Sequence, residues 1–307
     1  MSALFLILGL ALVAAAMFDA LWTTVAFAGG GPMTRRLAPG IWMLALRIHR
    51  ARSGRCHALL KAMGTVILLT TVLAWIAAVF TGYVLIFSAE AGAVVHGATG
   101  AEADLAERIY FTGYTLFTLG LGDYVPGGDV WRIATVIATL NGLFLVTIAI
   151  TYLIPVVSAV ADKRQLGAAV SNLGTSPQEI VIRAWDGESF QGISDHLVQL
   201  TQMIDLHAQR HFAYPVLHFF HSVERRSAVA PSLAALHDAL LILSAGVAKE
   251  HRLPAIAVEP TQRALDGLIG ILHADYVQQG GTPPPPLPEL SRLRKMQIPV
   301  KTDAEFH

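Results

Sequence analysis

Thr115-Leu-Phe-Thr-Leu-Gly-Leu-Gly-Asp-Tyr-Val-Pro126 lies between two long apolar segments, residues 63–88 and 131–161. A short Gly-containing loop at membrane depth has no water to satisfy its amides and carbonyls. It is tolerated where it is buried in protein or lines an aqueous path. Thr118-x-Gly120-x-Gly122-Asp123 therefore reads as backbone carbonyls presented to ions. A dehydrated cation must regain the coordination it loses on leaving water, and stacked carbonyls around an axis supply it without fixed charge. Such stacking needs unusual dihedrals at alternate residues. Gly120 and Gly122 can reach positive φ without steric penalty.

Composition agrees with a membrane setting. Of 307 residues, 54% are hydrophobic and 14% are charged, against roughly 25% charged in soluble domains. Net charge is zero, so no global field argues for nucleic acid. Local charge is informative. Between Asp19 and Glu90 there is no acidic residue, but Arg35, Arg36, Arg47, Arg50, Arg52, Arg55 and Lys61 fall there. Glu90, Glu102, Asp104 and Glu107 populate the next connection, against Arg108 alone. Basic loops stay cytoplasmic. The expected orientation is N-terminus outside, pore loop entering from outside and C-terminal half cytoplasmic, in the cell (inner) membrane. The single cysteine, Cys56, reads as a reduced thiol in the basic loop.

Residues 1–30 are expected to form an N-terminal transmembrane helix; no basic region precedes the apolar run, which disfavours a cleaved leader. Residues 31–62 are a basic cytoplasmic or interfacial segment. Within it, residues 38–52 read as a helix on the inner membrane surface or as a plain basic loop. Residues 63–162 hold two spans with Ala106 to Phe117 as a short helix between them. Residues 163–282 read as a helical cytoplasmic domain. Ser176-Pro-Gln-Glu179 marks a helix start within it, and helical spacing follows near 193–225, 231–248 and 260–278. Residues 283–307 open on Pro283-Pro-Pro-Pro286 and are expected to be a mobile tail. No Gly-x-Gly-x-x-Gly run follows a strand, and no span carries arginine every third residue as a voltage sensor would.

The Thr-Leu-Gly-Leu-Gly-Asp run between two spans resembles the filter of potassium channels, commonly Thr-Val-Gly-Tyr-Gly-Asp. It is similar above all to the second pore region of two-pore-domain potassium channels, which carry Gly-Leu-Gly-Asp-Tyr-Val-Pro-like runs. The resemblance covers residues 63–161. It implies an all-α membrane protein with a potassium-channel-like pore domain: outer helix, pore helix and filter, inner helix. An extra N-terminal transmembrane helix and an α-helical cytoplasmic domain are added to it. It further implies carbonyl sites at Thr118, Leu119, Gly120 and Leu121, with the Thr118 hydroxyl, K+ as the permeant ion, and Asp123 at the outer mouth. Tyr110, Phe111 and Tyr114 would form an aromatic cuff bracing the filter. The family uses four pore loops; one loop per chain implies a homotetramer in the lipid bilayer. Three positions depart from the pattern. Leu119 replaces valine or isoleucine, Phe117 replaces threonine, and Leu121 replaces tyrosine or phenylalanine. A leucine at 121 cannot make a phenol hydrogen bond to the pore helix.

Gly142 lies mid-way along the third span, at the spacing of the family's hinge glycine; close helix packing explains it equally. Pro155 removes a helical hydrogen bond near the inner end. Thr147, Thr151 and Ser158 share one helical face and are expected to line the cavity. Asp19, within the first span, is expected to pair with Arg35 or Arg36 or to act in gating. His207/His211 and His218/His221 stand at same-face helical spacings. They read as ordinary helix histidines or as a pH- or metal-sensing cluster. Neither a catalytic pattern nor a cofactor motif occurs in residues 163–307, and the ligand or partner of that region stays open. Two other functions are compatible with the chain: a weakly selective monovalent cation channel, and a membrane-anchored sensor with a non-conducting pore.

Overall fold

The computed structural model describes residues 2–26, 30–52, 57–222, 224–275 and 286–306. Gly29, Cys56 and residues 283–285 fall outside these. Long apolar runs become long helices: α1 (Ser2–Val25), α3 (His57–Phe87) and the 45-residue α5 (Asp129–Leu173). The basic segment forms α2 (Thr34–Ala51), the helix rather than the loop. A short α4 (Leu105–Leu116) and two three-residue strands, β1 (Val94–His96) and β2 (Tyr124–Pro126), lie between α3 and α5. The C-terminal half adds α6 (Pro177–Ala184), α7 (Ser194–Ala213), α8 (Val229–Leu241), α9 (Ala255–Asp275), α10 (Ser291–Lys295) and α11 (Asp303–Phe306).

Among the described residues, four helices are long and apolar enough to cross a membrane: Ala3–Val25, Ala58–Phe87, Asp129–Leu173 and Val229–Gly246. The first three are those expected from the sequence. The fourth is the shortest and least apolar, with mean hydropathy 1.5 against 2.2 to 2.5 for the others. Its Leu236, Leu240 and Ile242 are fully buried among C-terminal helices. The chain is an all-α, multi-pass membrane protein.

The chain divides into two compact units: Met1–Ile48 with Thr65–Val156, and His49–Gly64 with Val157–His307. In the first, α1 meets α3 where Gly9 and Gly82 face each other, with no side chains to hold the helices apart. Asp19, at 2% exposure, does not pair with arginine. Its carboxylate accepts hydrogen bonds from the Met33 amide (2.6 Å), the Thr34 amide and hydroxyl (2.6 Å to the latter) and the Trp75 indole (2.8 Å). The first amides of a helix lack intrahelical acceptors and carry the positive end of its dipole. Asp19 supplies the acceptor for α2 from a different helix. Trp75 in turn packs at a tilt against Tyr152 of α5, 5.6 Å between ring centroids.

The second unit has its own apolar core. Leu166 and Val170 of α5 pack with Ile180, Leu197, Leu236, Leu265 and their neighbours. Ser176 caps α6 as its sequence predicts, its hydroxyl accepting from the Glu179 amide at 3.3 Å. The Glu179 carboxylate reaches back one residue further than expected, to the amide and hydroxyl of Thr175. The tail expected to be mobile is instead packed over residues 286–306. Leu290 and Leu293 are fully buried in the core, Val300 bridges Val247, and the Lys301 amide donates to the Gly246 carbonyl at 2.8 Å. Apolar residues beyond the proline run outweigh the extended bias of the prolines.

Candidate functional site

The site is built by α4, the loop after it and α5. Asp104 and Glu107 start α4 with a reciprocal capping box. Asp104 Oδ1 accepts from the Glu107 amide (2.8 Å), and Glu107 Oε2 accepts from the Asp104 amide (2.7 Å). The helix ends at Leu116, and its last carbonyls turn the chain: the Leu119 amide donates to Tyr114 O at 2.8 Å.

From there the backbone alternates. Thr118 (φ 60°), Gly120 (φ 57°) and Gly122 (φ 85°) adopt the left-handed region, with Leu119 and Leu121 between them outside it. This two-residue alternation is the dihedral pattern expected for the filter, extended by one residue. Thr118 has a β-branched side chain and no glycine freedom, a conformation that costs of order 1–3 kcal/mol and is held by the surrounding bonds. Leu119 and Leu121 are 66% and 59% exposed, and Asp123 is exposed beside them.

A polar frame holds the loop on both sides. Antiparallel pairing of β1 with β2 sets Val94 opposite Pro126 and His96 opposite Tyr124. The Gly97 amide donates to the Asp123 carbonyl at 2.8 Å. Tyr114, buried in α4, donates its hydroxyl to the Tyr124 carbonyl, and the Tyr124 hydroxyl donates to the Glu107 carboxylate. The phenol bond that Leu121 cannot make is thus replaced by one from Tyr124. Arg108, 9% exposed, distributes its guanidinium over four carbonyls at 2.7 to 3.0 Å: Ala103, Phe87, Glu90 and Ala91. It ties the end of α3 to the start of α4. Neither role was read from the sequence. Tyr114 and Tyr124, on either side of the glycine loop, were the available signal for the first; Arg108, the lone cation in an acidic connection, was the signal for the second.

Of the expected cuff, Phe111 and Tyr114 are buried, with Phe111 edge-on to Phe87 (5.0 Å) and to Tyr114 (5.4 Å). Tyr110 is more exposed and meets Tyr114 edge-on at 5.2 Å. On α5, Gly142 is buried against the end of α4; a Cβ there would fall on the Leu116 carbonyl. Close packing therefore accounts for Gly142. Thr139 reaches the Thr115 carbonyl at 3.4 Å, and the Asn141 amide donates to the Tyr83 hydroxyl at 2.6 Å. Thr147, Thr151 and Ser158 are all exposed, and the helix continues through Pro155.

At the inner end of α5, Asp162 pairs with Arg210 of α7, and the Arg210 guanidinium also reaches the Ser158 hydroxyl at 3.5 Å. Lys163 Nζ donates to the carbonyls of Leu217 (2.9 Å) and Phe220 (3.0 Å), at the end of the 3-10 turn Pro215–Phe219. His207 and His211 are buried beside Lys163, their rings 5.7 Å apart, and His218 lies 6.0 Å from His211. Burial, then the neighbouring Lys163, lowers His207 to about 4. Burial, then His207, Lys163 and His218, lowers His211 to about 3. Burial, then Lys163, also lowers His218. His221 is exposed. Among the described residues, no group of three or more His, Cys, Asp or Glu could hold a metal ion.

A family described as "Ion channel" matches residues 65–159, the segment that contains α4, the Gly120–Gly122 loop and most of α5. Residues 65–159 thus form an ion-channel domain. The chain is also 33% identical over 303 residues to a Bacillus subtilis (strain 168) protein named "Uncharacterized membrane protein YdjJ". That match covers 98% of this chain and 87% of the relative. No solved structure matches it.

Proposed function

We propose that the protein is a homotetrameric channel that conducts K+ passively through Thr118 to Asp123. The observation that carries this reading is the alternation of left-handed backbone at Thr118, Gly120 and Gly122, in a loop left exposed by its own chain. Alternate dihedrals of this kind aim successive carbonyls to one side, and one exposed wall calls for further copies around an axis. The exposed apolar face of α5, including Ile133, Leu140 and Leu143, suits contact with lipid and neighbouring subunits. Three helices cross the membrane: α1, α3 and α5. The basic segment and the C-terminal half are cytoplasmic, and Val229–Gly246 stays within that domain.

Gating is assigned to the inner end of α5, where Asp162 and Lys163 are held by α7 and the turn after it. Thr147, Thr151 and Ser158 line the cavity on the way there.

Single-channel recording of the purified protein in planar bilayers under opposed K+ and Na+ gradients tests the reading. A reversal near the K+ equilibrium potential is expected. Reversal near zero with clear openings would favour a weakly selective cation channel, a reading supported by the exposed leucines at 119 and 121. Native mass spectrometry of the protein in detergent is expected to give four chains per particle.

A further inference from the structure

The helix α2 presents three parallel stripes. Thr34, Ala38 and Ala45 are buried against the protein. Leu37, Ile41, Leu44 and Ile48 follow the i, i+4, i+7, i+11 spacing of one helical face. Leu44 and Ile48 are exposed there. Arg36 and Arg47 lie on a third face at the same spacing, i and i+11, with Met43 between them, and all three are exposed. Neither arginine has an acidic neighbour in sequence, because no Asp or Glu occurs between Asp19 and Glu90. The start of the helix is fixed rather than loose: Asp19 of α1 accepts from the amides of Met33 and Thr34 and is itself held by the Trp75 indole of α3.

We propose that this outer surface of α2 is a docking site for the headgroups of anionic phospholipids, with the Leu44 and Ile48 flank among the acyl chains. This rests on the transmembrane reading of α1 and α3, which places α2 at a bilayer surface. Charge complementarity selects the occupant. A purely apolar stripe would take any lipid, but a two-arginine stripe beside it favours a net negative headgroup. An amphipathic helix with arginine on its polar face binds anionic interfaces by these two contributions together. Each basic side chain near an anionic surface gives roughly fivefold in binding, so Arg36 and Arg47 together give on the order of 30-fold preference.

Native mass spectrometry of the full-length protein in neutral detergent, titrated with short-chain phosphatidylglycerol or phosphatidylcholine, reads this preference without requiring conduction. The wild-type protein is expected to retain phosphatidylglycerol on the order of 30-fold more strongly, with the preference shrinking as salt rises. The R36Q/R47Q variant is expected to lose it, and R36K/R47K to keep it, because charge and not fork geometry carries the contact. Thermal unfolding in phosphatidylcholine, unchanged between wild type and R36Q/R47Q, checks that the variant folds. Equal retention of both lipids by the wild type would overturn the proposal and leave only apolar contact. So would a preference that survives in R36Q/R47Q. A silent bilayer recording beside a clear lipid preference would count against the channel reading alone.

Discussion

Tyr124 shows how one side chain can replace another at a different position. The resemblance to potassium channels places an aromatic residue at 121, where it would brace the filter against the pore helix. This chain has leucine there, exposed and unable to donate. Three residues on, the Tyr124 hydroxyl donates to Glu107 of α4 while its carbonyl accepts from Tyr114. A hydrogen bond to a charged group contributes about 1.5–3 kcal/mol, comparable to the strain at Thr118 in the same loop. Tyr124→Phe removes the donor and little else. It is expected to lower the K+ over Na+ permeability ratio several-fold, measured from bi-ionic reversal potentials. An unchanged ratio would remove Tyr124 from filter support. Asp19 makes a comparable argument outside the filter. Its carboxylate faces only donors, so the amide of Asp19→Asn would turn a donor toward at least one of them. A loss of about 1.5–3 kcal/mol in stability is expected, read by thermal unfolding in detergent.

At the scale of elements, α5 is decisive. Thr151 lies exposed on the face shared with Thr147. If that face lines the cavity, Thr151→Trp narrows the path and should cut unitary conductance severely while leaving the reversal potential in place. Unchanged conductance would take Thr151 off the lining. Much of this architecture was legible in the sequence. The three long apolar segments, the Ser176 cap and the short helix before the Gly120–Gly122 loop all occur where local pattern placed them. What pattern could not supply was partners distant in sequence. Asp19 was assigned a nearby arginine because charge pairing is the simplest expectation, yet backbone amides and the Trp75 indole hold it. The helix α5 runs on past the apolar segment 131–161 to Leu173 because Leu166 and Val170 enter a core. The tail misled for a similar reason: its prolines dominate the composition, while a few leucines determine its packing. Leu290→Ala, at a fully buried site, is expected to cost about 2–5 kcal/mol, measured by chemical denaturation; a cost near zero would restore a mobile tail.

For the molecule as a whole, the histidine cluster determines how stability responds to pH. His207 and His211 face Lys163, His218 and each other, with no carboxylate among the causes of their shifts. Burial and positive neighbours hold both neutral in the folded state, to about 4 and about 3, whereas an unfolded histidine titrates near 6.5. Between those values the unfolded chain binds more protons, so stability falls as pH falls from about 6.5 toward 4. Above about 6.5 the histidines contribute no slope. Melting temperature measured against pH should therefore drop in mild acid for the wild type, and the drop should flatten in a His207→Gln/His211→Gln variant. The same variant should leave channel opening between pH 7 and 8 unaltered, because neither ring changes charge there. An equally steep acid slope in the variant would assign the effect to carboxylates such as Glu179 and Asp186, whose values hydrogen bonding lowers. Opening that shifts between pH 7 and 8 in the wild type and not in the variant would instead make the pair a sensor near neutrality, against the direction in which burial moves both rings.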